Sequence, residues 1–155
     1  MGDHNSDEIG TLNTLTATLI DSVNGYRDAA ENSDNSRFQQ IFRERADERS
    51  KCVDDLRSCV RNLGGDPKDD GSFMGKTHQS FLDLKAAVTG RDEQAVVNEV
   101  ERGEDYLKEK FQTALDDENL SGEARSTVEQ VYQSVKSGHD QMSQLKHGLE
   151  ADANS

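Results

Sequence analysis

Apolar residues recur at three- and four-residue steps from Leu12 to Leu149, the period of amphipathic helices packed on a shared core. The clearest run is Arg37 to Leu63, where Phe38, Ile41, Phe42, Val53, Leu56, Val60 and Leu63 share one stripe. Ahead of it, Leu12, Leu15, Leu19, Val23, Tyr26 and Ala30 predict a helix over 8–30. Further on, Val96, Val97, Val100, Leu107, Phe111, Ala114 and Leu115 predict one over 92–116. Val128, Val131, Val135, Met142, Leu145 and Leu149 predict a last one, capped by Ser121. Between the first two runs, Glu31 to Ser36 is a short turn of Asn, Ser and Asp residues, which cap a following helix and make its neighbours antiparallel. Gly64 and Gly65, with Pro67 behind them, stop the second helix. A shorter helix over 73–88, between Ser72 and Gly90, falls in a connection long enough to carry the chain back along the bundle. The expectation is an all-α four-helix bundle with a short crossover helix between the second and third long helices. One domain covers 9–149, with flexible tails at 1–8 and 150–155.

Polar residues interrupt these stripes near the middle of each long helix. Arg45 and Arg49 stand in the second stripe, Glu104 in the third, Ser22 and Tyr26 on the first helix, and His139 at the margin of the last. Antiparallel packing brings them to one level. A buried arginine is hard to neutralise, so Arg49 requires a carboxylate, and Glu104 is the candidate. Tyr26 and His139 are expected to supply the remaining hydrogen bonds, giving a core polar network of Tyr26, Arg45, Arg49, Glu104 and His139. Asp21 and Asp28 are expected on the opposite face of the first helix, which leaves that helix no inward carboxylate.

Such a cluster is either a metal or catalytic site or a buried network that fixes helix register. Di-metal bundles use a carboxylate from each of two helices and a Glu-x-x-His pair from each of the other two. Here the first helix offers Ser22, Lys136 stands where a Glu would precede His139, and Arg49 and Cys52 occupy the same step on the second helix. The donors left are Glu104 and His139, with Glu48 and Glu101 as additions, and a guanidinium among them repels a cation. No metal is expected on this reading. The chain has no Gly-rich phosphate loop, no paired CxxC and no zinc-protease motif, so no catalytic residue is assigned. His78 falls on the crossover helix, and His4 and His147 lie near the ends. The alternating charges of Glu99 to Lys110 read as a solvated helix face with pairs such as Glu104 with Lys108.

Composition narrows the picture. Hydrophobic and charged residues each make up 32% of the chain and Trp is absent, a lean core that long helices with solvated outer faces accommodate. The net charge of −13 argues against nucleic acid and anionic membrane surfaces as partners. The first nine residues carry no leader-like apolar core, and no apolar run is long enough to span a membrane. Cys52 and Cys59 lie seven residues apart on one helix, about 10 Å along its axis. They cannot pair with each other, and unpaired thiols fit a reducing compartment, so cytoplasm is the expected location. A myristoylation pattern at Met1 to Ser6 and a glycosylation pattern at Asn119 to Ser121 are short enough to arise by chance.

Several segments together carry a resemblance: Gly25 to Glu31, Glu44 to Arg49, Leu63 to Pro67, Leu84 to Gly90 and Glu101 to Asp105. In this order they resemble an uncharacterised bacterial family of ferritin-like four-helix-bundle proteins, a domain of unknown function, across about Leu12 to Leu145. The resemblance implies a ferritin-like fold, a cytoplasmic location and a role in stress, with no established activity. Ferritin-like relatives often bind two metals, and this chain departs from their ligand pattern. The expected function is a non-enzymatic structural or interaction protein with an Arg-Glu network in place of a di-metal site, acting as a homo-oligomer or with a protein partner. The alternative is an iron- or manganese-binding redox or storage protein with an atypical site drawn from Glu48, Glu101, Glu104 and His139.

Overall fold

A computed structural model describes residues 2–33, 35–68, 93–117, 120 and 122–154. Among them are four helices and no strand: α1 (Gly2–Asn32), α2 (Ser36–Asn62), α3 (Glu93–Leu115) and α4 (Gly122–Asn154). The crossover helix expected over 73–88, with His78, lies outside the described residues, as does Ser121, the expected cap of the last helix. None of the described helices is long and apolar enough to cross a membrane.

The internal helix ends follow from local chemistry. Asn35 caps α2 by accepting from the backbone of Arg37 (2.9 Å) and Phe38 (3.3 Å). At the other end Gly64 adopts φ +85°, its N–H reaches the Arg61 carbonyl, and Gly65 N–H reaches that of Val60, both at 2.9 Å. This is the paired bonding of a Schellman stop, and glycine meets its left-handed residue at little cost. The outer ends run further than the apolar pattern indicates. Helix α1 starts at Gly2 rather than Glu8, and α4 continues to Asn154, so the residues expected as tails are largely helical. Nothing between 2 and 8 or 150 and 154 is a proline, and a helix that a core already anchors extends readily through such residues.

Helix α1 packs on α2 and α3, and α4 packs on the same two. Contacts across the interfaces give the directions. Arg45 reaches Gln141, and Glu48 reaches Ser134, so α2 and α4 are antiparallel. Glu101 with Lys146, Asp105 with His139 and Gln112 with Tyr132 make α3 and α4 antiparallel as well. Thus α2 and α3 point the same way, so the end of α2 and the start of α3 that residues 63–92 connect lie at opposite ends of the bundle. The molecule is two helical hairpins, α1 with α2 and α3 with α4, each closed by a short turn.

The core shows a coiled-coil spacing of alternating threes and fours. On α3 it runs Val97, Val100, Glu104, Leu107, Phe111, Ala114, and on α4 Val128, Val131, Val135, Gly138, Met142, Leu145. All are buried except Leu145, which packs against the core. Helix α1 buries more than its stripe. Thr16, Ala17, Thr18 and Asp21 are buried beside Leu15 and Leu19, a wider arc than the apolar stripe marks. Asp21 is therefore not the outward residue the periodicity indicates, and it is not free of partners. Thr16 and Thr18 satisfy their hydroxyls on the carbonyls four residues back, at 2.7 and 2.9 Å, which removes the cost of burying them.

Candidate functional site: a buried ion pair at the centre

Arg49 sits mid-way along α2 and Glu104 mid-way along α3, on diagonally opposed helices whose side chains meet at the bundle axis. Arg49 Nη1 donates to Glu104 Oε1 at 2.7 Å and Nη2 to Glu104 Oε2 at 2.5 Å, a two-pronged pair. Nη1 also donates to Ser22 Oγ of α1 at 2.7 Å. The two side chains are 0% and 1% exposed, so the charges are withdrawn from water and must neutralise each other. Burial opposes the arginine's charge, but Glu104, through its charge and its hydrogen bonds, holds the guanidinium protonated more firmly than in a free arginine.

The fourth helix contributes a space. A Cβ built on Gly138 would overlap Arg49 Nη2 and come within 2.8 Å of Glu104 Oε2. A side chain there would force the pair to shift, and glycine lets α4 close over it as it stands. One turn along, Tyr26 packs under the guanidinium, with Arg49 Cζ 5.6 Å from its ring centre and Phe42 beyond it at 6.1 Å. The Tyr26 hydroxyl makes no hydrogen bond of normal geometry, nor does Arg49 Nε. Burial first, and the nearby Glu104 charge second, push the Tyr26 pKa well above its ordinary value.

Of the five residues expected in one network, the structure joins Arg49, Glu104 and the Tyr26 ring. Arg45 turns to the edge of the α2–α4 interface, where it donates to Gln141 of α4 (2.7 Å) and to Glu48 of its own helix (2.9 Å) rather than to Glu104. His139 faces outward between α3 and α4, where Nε2 meets Asp105 Oδ1 at 2.5 Å. It therefore does not supply the central pair, and Ser22 takes that role instead. Glu104 points inward to Arg49 and not to Lys108; on that outer face Arg102 pairs with Glu99 at 2.5 Å.

The four candidate metal donors do not converge. Glu104 has both oxygens on Arg49, Glu101 accepts from Lys146 at 3.0 Å, Glu48 is held by Arg45 and Ser134, and His139 is held by Asp105. Among the described residues no three His, Cys, Asp or Glu side chains gather as a metal site. A di-metal centre does not fit this donor set. Cys52 and Cys59 are free and buried, and burial pushes the Cys52 thiol above its ordinary range, against nucleophilic chemistry.

Gly138, Asp105 and Ser134 are the site residues that sequence reasoning missed. Gly138 did carry a signal: it stands at a core step between Val135 and Met142, where every other step on α4 bears a side chain.

A search among curated proteins gives no match. Residues 7–117 match the family described as a domain of unknown function, DUF2383. The match spans α1 from residue 7 through α3 and includes Ser22, Arg49 and Glu104, while Gly138 and the rest of α4 lie beyond it. With well over half its length matched, the chain belongs to the DUF2383 family.

Proposed function

We propose that this protein is a non-enzymatic, ferritin-like bundle that works as a structural or interaction protein, its Arg49–Glu104 pair standing where related bundles hold two metals. The observation that carries this reading is the two-pronged grip of Arg49 on Glu104, which commits both oxygens of the central carboxylate to a fixed internal cation. A guanidinium keeps its charge at every physiological pH, so a metal ion would meet repulsion at the bundle axis. The ferritin-like part is supported by the helix directions, with α2 and α3 parallel and a long connection in sequence between them. The cytoplasmic, stress-related setting and the homo-oligomer or protein partner belong to the same proposal and follow from the resemblance.

Elemental analysis of protein purified without chelators or affinity metals tests it. We expect no stoichiometric iron, manganese or zinc, and no rise in the unfolding midpoint when Fe(II), Mn(II) or Zn(II) is added. One or two metal ions per chain, lost in a Glu104→Ala, His139→Ala variant, would replace this reading with that of a metal-binding redox or storage protein.

A further inference from the structure

We infer that the layer of Ser22, Arg49, Glu104 and Gly138 is a register key between the two hairpins. Within each hairpin the turn fixes the alignment: residues 33–35 join α1 to α2, and 116–121 join α3 to α4. Between the hairpins no short turn sets the alignment, since thirty residues, 63–92, separate α2 from α3. Heptad spacing does not set it either, because a slide by seven residues, about 10 Å, returns an apolar residue to nearly every core position.

The central layer breaks that equivalence. Arg49 and Ser22 belong to the first hairpin, Glu104 and Gly138 to the second. Slid one heptad either way, α3 would set Val97 or Phe111 against Arg49, stranding a buried guanidinium. In the same movement α4 would put Val131 or Leu145 where Gly138 now leaves room against α2 and α3. Gly138 is the one glycine between Gly122 and Gly148 on α4, so a single alignment satisfies both the charge and the space. Charge and gap act together, as a polar core residue does in fixing the register of a coiled coil.

The test uses the full chain with Cys52→Ala and Cys59→Ala, spin-labelled at Lys51→Cys on α2 and Glu123→Cys on α4, both exposed positions. Electron-electron distance measurement reads the axial alignment. We expect one narrow distance in this parent, and in Arg49→Leu, Glu104→Leu a broadened distribution with a second population about one heptad away. A single unchanged distance in the double variant would overturn the key. A double variant that no longer folds would overturn it too, since the pair would then carry stability rather than choose between alignments. Gly138→Ala is the second readout. It should lower the unfolding midpoint when the pair is present and leave it unchanged or raised when both are Leu, because alanine is the better helix former. Equal losses in the two backgrounds would show that the glycine does not read the pair.

Discussion

Arg49 and Glu104 are each tolerable only because of the other. Arg49→Leu or Glu104→Leu alone leaves a stranded buried charge and should cost roughly 3–5 kcal/mol, whereas the double change should cost much less than the sum. Urea unfolding of the four proteins measures that coupling. Tyr26 gives a pH signature. Its pKa is raised in the folded state by burial, and its ordinary value is 10.0. Its contribution to stability is thus intact below pH 10 and is lost as the pH climbs above that toward the folded value. Tyr26→Phe should flatten the decline of the urea midpoint above pH 10 and, having no hydroxyl to bury, cost little or nothing at pH 7. The pair itself was legible in the sequence because charges in an apolar stripe demand an explanation. Gly138 was harder to read because a missing side chain breaks no polarity pattern, and His139 was misread because a stripe's margin can face either way. Its partner Asp105 looks like any other surface acid.

At the level of the helix, the signals that worked were those with a specific backbone chemistry behind them. Asn35 and Gly64 mark the ends of α2 through an oxygen that accepts two N–H groups and a residue that tolerates φ +85°. Asn35→Ala and Gly64→Ala should each lower stability by about 1 kcal/mol, additively, since the two sites lie at opposite ends of one helix. Thermal unfolding of the single and paired variants checks both size and additivity. What the apolar period could not supply was how wide a helix's buried arc would be. Asp21 is placed outward by counting and inward by the structure, because the count follows the apolar residues alone and α1 buries polar residues beside them, Thr16 and Thr18 among them. Helix length was underestimated for a related reason: the first turns of α1 carry no apolar stripe to count.

For the whole molecule, length, helix content and the long connection gave the all-α bundle, while the directions of the helices emerge only from pairs such as Arg45 with Gln141. The two-hairpin plan has a consequence in time. Each hairpin is assembled from neighbours in sequence, a local search that finishes early, whereas bringing α3 and α4 onto α1 and α2 requires closing the 63–92 segment. We expect docking of the two halves to be the slow event, with the contact of Arg49 and Glu104 closing after the barrier. On that account Glu104→Leu should speed unfolding and leave the folding rate nearly unchanged, the behaviour of a contact made after the barrier, and stopped-flow mixing across a urea series reads both limbs. The ion pair would then act as a latch on a closed door: it sets how long the native state lasts once formed, and has little say in how quickly it is reached.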